Sequence, residues 1–185
     1  TEHFMSDLHG EYEAVAHILN NASGVIREKI DLLYADTVSE EERSKLATLI
    51  YYPHHKLASL RAEHADDLSS WYHETLVRLI DICRVVASKY TRSKVRKALP
   101  PDFSYIIDEL LHADHYEKNK ESYYRRIFST IVDVGRADAF ITALANLIKR
   151  LAVDQLHILG DIFDRGPGAE DIIELLRAHH AVDIV

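Results

Sequence analysis

Apolar residues along this chain recur in two periods. Four stretches place them at three- and four-residue steps: Leu76, Leu79, Ile80, Cys83 and Val86; Phe103, Ile106, Ile107, Leu110 and Leu111; Tyr124, Ile127, Phe128, Ile131 and Val132; and Phe140, Ile141, Leu144, Leu147, Ile148 and Leu151. That spacing puts each set on one stripe of an α-helix. Three short runs, His3 to Ser6, Gln155 to Leu159 and Val182 to Val185, are too short for buried helices and read as strands. The first two enter Asp- and Gly-containing turns that lead into helical patterns, Asp7-Leu8-His9-Gly10 before Glu11 to Asn20, and Gly160 to Gly168 before Ala169 to His179. Strand, loop, helix, repeated, is the grammar of an α/β layer.

The predicted fold class is therefore α/β and predominantly helical: a βα unit, an all-helical insertion from about Asn21 to Val134, then helix, strand, loop, helix and strand, all in one domain over residues 1–185. Ser39 with Glu42 three residues on reads as a capping box, Pro53 as a boundary, and Asp102 after Pro100-Pro101 as an N-cap. Both ends look cut, since the chain opens on a strand without an initiator Met and stops on another, so a fragment of a longer protein is expected.

Composition narrows the partners. At 185 residues and 47% hydrophobic residues there is enough apolar side chain for one sizeable core. A net charge of −8 gives no electrostatic footprint for nucleic acid or an anionic membrane surface. One cysteine, Cys83, cannot form an internal disulfide. With no long apolar run and no signal peptide pattern, a cytoplasmic location is the expectation.

Chemistry concentrates in the two loops. In open α/β sheets ligands sit beyond the carboxyl ends of the strands, where both loops fall, so residues far apart in sequence can share a site. Asp7 and His9 stand two residues apart where the chain turns at Gly10, a weak signal alone. Gly160-Asp161-Ile162-Phe163-Asp164-Arg165-Gly166 is stronger, because five specified residues match by chance with probability on the order of 10⁻⁴ in a chain this long. Asp161 offers two oxygens that can bridge metals, Gly160 and Gly166 let the backbone turn, and Arg165 supplies a planar fork suited to phosphate.

Together, Asp7-Leu8-His9-Gly10 and Gly160-Asp161 through Gly166 resemble the first two motifs of the calcineurin-like metallophosphoesterases. A long helical insertion between them, with Ser6-Asp7-Leu8-His9-Gly10-Glu11-Tyr12 and Leu159-Gly160 through Pro167, is similar to the class 3 fructose-1,6-bisphosphatases over the whole chain. The resemblance implies an incomplete metallophosphoesterase sheet layer, with Asp7 and His9 on one metal and Asp161 bridging two. Asp164 would orient a catalytic His, and Arg165 would bind the substrate phosphate. It further implies dinuclear Mn²⁺ and hydrolysis of the 1-phosphate of fructose 1,6-bisphosphate in gluconeogenesis. Two cations about 3.5–4 Å apart stabilise both the entering and leaving oxygens of an in-line displacement. The superfamily's next motif, Gly-Asn-His, is not in this sequence, so the chain alone is expected to be inactive.

Other features read as structure. His54-His55 and His179-His180 are solvated surface, because adjacent helical side chains diverge by about 100°. Cys83 lies on an apolar stripe and belongs to the core, and Arg92, Lys94, Arg96 and Lys97 read as the basic last turn of a helix. Two alternatives stand beside the sugar bisphosphatase: a protein or dinucleotide phosphatase, and a non-catalytic helical interaction module. A small sugar phosphate is the expected partner, with homo-oligomerisation the one macromolecular association admitted.

Overall fold

The structure, a computed structural model, describes residues 2–112, 118–161, 167–178 and 182–184. Three strands, β1 (Glu2–Ser6), β2 (Gln155–Leu159) and β3 (Val182–Ile184), form a parallel sheet in the order β1-β2-β3. Glu2 pairs with Gln155 and Ser6 with Leu159, so β1 and β2 end level with each other. All three predicted strands are present, and the bulk of the described chain is helical, as the stripes require.

One face of the sheet is covered. Met5 on β1 and Leu156 and Ile158 on β2 pack with Leu8, with Val15 of α1 (Tyr12–Asn21) and with Ile172 and Leu176 of α10 (Ala169–Ala178). The opposite face carries Phe4, stacked on His157 at 4.8 Å yet 63% exposed, beside the half-exposed Leu159. Parallel sheets are ordinarily buried on both faces.

The helical body begins where α1 stops. Ala22, Ser23 and Gly24 all take left-handed backbone conformations, and the N–H groups of Ala22 and Ser23 close the last turn of α1 on Leu19 and Ile18. This reversal launches α2 (Val25–Tyr34), followed by α3 (Glu40–Tyr51), α4 (Pro53–Glu63), α5 (Leu68–Ala87), α6 (Arg92–Ala98), α7 (Ser104–His112), α8 (Lys118–Asp133) and α9 (Ala137–Ala152). The Ser39 hydroxyl accepts the Glu42 N–H at 3.2 Å, as the capping pattern requires, and Pro53 opens α4 where its missing N–H costs nothing.

Three features differ from the sequence reading. Helical packing does not stop near 134: Phe140, Ile141, Leu144 and Ile148 of α9 are fully buried in the same cluster as Leu76, Leu79 and Ile80 of α5. The sheet is covered by α1 and α10, and the apolar stripe of α9 faces helices. Asp102 is not an N-cap; it lies in a 3-10 turn, Pro101–Phe103, that runs directly into α7. Of the basic run, Arg96 and Lys97 do form the last turn of α6, but Arg92 and Lys94 open it, with Thr91 capping the Lys94 N–H, and their charges are met by Asp108 at 2.8 Å and Asp154 at 3.1 Å.

Cys83 is fully buried against Leu144, and burial pushes its thiol well above the ordinary thiol range. Since the thiolate is the reactive form, the folded chain should not react with 5,5′-dithiobis(2-nitrobenzoate) at about pH 8, and denaturant should release one equivalent. Rapid labelling of the folded protein would contradict the placement. His54 and His55 are exposed, as a solvated pair should be. His179 and His180 lie outside the described residues.

Candidate functional site

Because β1 and β2 are adjacent, parallel and level, the loops that leave them start side by side. The Asp7 N–H still donates to Leu159 O at 3.3 Å, extending the ladder by one step. The first loop then turns sharply, with φ of 54° at Asp7, 46° at His9 and 72° at Gly10. Only Gly takes this region freely. Asp and His are among the residues that tolerate it, at a cost of roughly 1–3 kcal/mol each when held there. Such strain persists where surrounding contacts over-determine the loop, and here they do.

The second loop supplies those contacts. The His9 N–H donates to Asp161 O at 3.1 Å, and the Gly168 N–H donates to Gly10 O at 3.1 Å, an oxygen that also accepts the Tyr12 N–H. Gly160, at φ +96°, lies under the Asp7 side chain so closely that a Cβ there would stand 2.8 Å from Asp7 Oδ1. The Gly160-Asp161 peptide thus lies against the Asp7-x-His9 turn.

The structure brings the backbones of Asp7, His9 and Asp161 together. It does not gather their side chains into a cluster: among the described residues no three His, Cys, Asp or Glu side chains are placed to hold a metal ion. Asp7 and Asp161 are both exposed to solvent. His9 differs. Its Nδ1 is buried and has no hydrogen-bond partner, which leaves a ring nitrogen at the sheet's edge with unused capacity. Buried polar atoms are seldom left so, and two carboxylates with one imidazole are the donor types suited to a divalent cation. By donor type and by this orphaned nitrogen the three residues suit a divalent cation, although their side chains are not gathered around one point. Asp164 and Arg165 lie outside the described residues.

Sequence reasoning missed Gly168, which carries no donor side chain and was legible only as part of a Gly-Pro-Gly turn. It also missed the anchoring of α1, the helix into which the first loop runs. His17 Nδ1 and the Tyr52 hydroxyl share a hydrogen bond of 2.6 Å, and Lys149 Nζ donates to Asn20 Oδ1 at 3.3 Å and Tyr51 O at 3.4 Å. Burial lowers the Lys149 ammonium below the ordinary lysine range. The helical body therefore grips α1 along its length. A cavity of about 610 Å³ within that body is lined by Tyr34, His73, Arg78 and Tyr124 among others, none of them loop residues of the site.

Among the described residues no helix is long and apolar enough to cross a membrane. The family model described as Firmicute fructose-1,6-bisphosphatase matches residues 1–185. A Clostridium novyi (strain NT) protein named fructose-1,6-bisphosphatase class 3 is 59% identical over 184 residues, which are 100% of this chain and 28% of that protein. A protein of the same name from Clostridium botulinum (strain Loch Maree / Type A3) is 56% identical over 184 residues, 27% of its length. The chain therefore spans a little over a quarter of the curated relatives it matches. No solved structure matches it. With the Asp7-x-His9 and Gly160-Asp161 turns side by side at the ends of β1 and β2 and a family match along its whole length, the chain belongs to the Firmicute fructose-1,6-bisphosphatase family.

Proposed function

We propose that this chain forms part of a Mn²⁺-dependent phosphomonoesterase that hydrolyses the 1-phosphate of fructose 1,6-bisphosphate to fructose 6-phosphate and phosphate, a step of gluconeogenesis. The observation that carries the reading is the pairing of the Asp7-x-His9 turn with the Gly160-Asp161 turn at the carboxyl ends of two adjacent parallel strands. The family match and the names of the relatives support the substrate. On this reading the strands belong to a calcineurin-like metallophosphoesterase sheet, interrupted between its first two motifs by the helical body. Polypeptide outside this chain would cover the open face that carries Phe4 and His157.

Asp7, His9 and Asp161 are the residues that would hold Mn²⁺, His9 through its imidazole and the two aspartates through carboxylate oxygens. A bound pair of cations supplies charge that stabilises the entering and leaving oxygens of phosphoryl transfer. The chain's own residues do the positioning. The left-handed turn at Asp7 and His9 fixes where their side chains start, and the His9 N–H to Asp161 O bond fixes Asp161 relative to them. Arg165 would hold the substrate phosphate through its two-pronged guanidinium. Asp164 would orient a proton-donating His supplied from outside this chain. The partner is a small sugar phosphate, not nucleic acid or a membrane; the location is the cytoplasm, and the intact protein could self-associate.

The test is phosphate release from fructose 1,6-bisphosphate with added Mn²⁺, comparing the intact protein with the 185-residue chain. Turnover is expected in the intact protein and little or none in the short chain, since three protein ligands do not complete two metal sites. Faster turnover of a phosphopeptide or a dinucleoside tetraphosphate would replace the substrate assignment and leave the metal site standing.

A further inference from the structure

The segment bearing the second motif returns to the first loop at Gly168. This residue's N–H donates to Gly10 O at 3.1 Å, and its carbonyl accepts the Ile172 N–H at 3.0 Å in the first turn of α10. It joins the metal loop and the helix in one residue. A Cβ built on Gly168 would stand 2.8 Å from the Tyr12 Cβ and 2.9 Å from Gly10 O. Neither neighbour is the free end of a flexible side chain: one is the root of a residue in the first turn of α1, the other a backbone oxygen already accepting two N–H groups. A side chain at 168 therefore moves backbone, and the backbone it moves is the His9-Gly10 turn.

We infer that Gly168 is a positioning residue for the metal centre, the outer half of a two-point clasp whose inner half is the His9 N–H to Asp161 O bond. The inference rests on the proposed metal site. Asp7 and His9 sit in left-handed conformations that need support from outside the loop. The inner bond ties His9 to Asp161 and the outer bond ties Gly10 to the base of α10, so the first loop is held to Asp161 and to α10 together. Without the outer bond the His9 N–H to Asp161 O bond alone ties the His9-Gly10 turn to the chain that follows β2, and the spacing of His9 and Asp161 is less tightly held. Gly168 touches neither metal nor substrate, so its effect appears in how tightly the ligands are arranged.

The experiment uses the intact protein with Gly168→Ala, with Leu176→Ala as the control, since Leu176 is a buried residue of the same helix packed on the sheet and distant in sequence from the clasp. Mn²⁺ affinity is measured by titration well below both melting transitions. Gly168→Ala is expected to weaken Mn²⁺ by about 10-fold or more, the scale set by losing outer contacts that orient metal ligands, and Leu176→Ala by less than about 2-fold. In metal-free protein the His9 amide should exchange with solvent faster in Gly168→Ala and unchanged in Leu176→Ala. Equal losses of affinity in the two variants would make the effect one of stability and overturn the clasp. So would wild-type Mn²⁺ affinity in Gly168→Ala. In the unsubstituted protein, a Gly168 amide that exchanges as fast as an open loop overturns it even if the variant fails to fold. Asp161→Asn separates the two claims. If that variant binds Mn²⁺ like the unsubstituted protein, the metal reading itself falls; if it loses Mn²⁺ and Gly168→Ala does not, only the clasp falls.

Discussion

Asp161→Asn in the intact protein is expected to lower phosphate release from fructose 1,6-bisphosphate at saturating Mn²⁺ by at least about 10²-fold, the upper end of what losing even an outer contact to a metal ligand costs. The substitution is nearly isosteric, and Asp161 is exposed just past the end of β2, so no core contact changes. Its backbone carbonyl still accepts the His9 N–H, and the loop geometry survives. What changes is the donor: an amide oxygen carries no charge, and on the proposed reading the site loses the carboxylate that would serve both cations. With Asp161 exposed and its backbone bond kept, thermal stability without Mn²⁺ should hold steady while activity collapses. Circular dichroism, melting with and without Mn²⁺, and steady-state kinetics on one preparation distinguish the cases. A rate within about threefold of the unsubstituted protein, with unchanged Mn²⁺ dependence, would remove Asp161 from the site.

That prediction could be framed from sequence because the motif residues are specified by chemistry that composition seldom imitates. Gly160-Asp161 and Asp164-Arg165-Gly166 read from sequence as a candidate phosphate and metal loop, and the strand before them follows from a short apolar run between turn residues. The helices were legible for a similar reason: each stripe holds five or six apolar positions at helical spacing, and the described ones are buried or half-buried. Local signals say less about where a stripe points. Nothing in Phe140, Ile141 and Leu144 distinguishes a helix packed on a sheet from one packed on other helices, so the extension of the helical body through α9 appears only in three dimensions. The clasp was hidden more deeply. Gly10 O and the Gly168 N–H are backbone groups, and their pairing depends on β1 and β2 being neighbours in register, which no spacing in the sequence records. The misread cap at Asp102 has a local cause. Pro101 opens a 3-10 turn one residue earlier, so Asp102 falls inside a helical turn rather than ahead of one.

Phe140→Ala is expected to destabilise the helical body by about 3–5 kcal/mol, the range for deleting a buried phenyl ring. Phe140 has no exposed surface and meets Phe103 edge-on, with ring centroids 5.0 Å apart and planes at 70°, the geometry aromatic pairs favour. Arg136 lies over the Phe103 ring at 5.1 Å from its centroid, a second contact that restrains that ring from moving into the space a missing phenyl leaves. The 3-10 turn that carries Phe103 is bounded by Pro100 and Pro101, which limits how far its backbone can follow. A site that cannot collapse sits at the costly end of the range. The single Trp, Trp71, stands on α5 in the same body, stacked on His64 at 5.6 Å, and its fluorescence follows the unfolding of these helices directly. Urea titration read at Trp71 should show the midpoint of Phe140→Ala shifted strongly downward and Phe140→Leu shifted less, because leucine refills part of the volume. A loss below about 1.5 kcal/mol for Phe140→Ala would mean that α7 and α9 close over the gap, and that the helical body is more loosely packed than its buried stripes indicate.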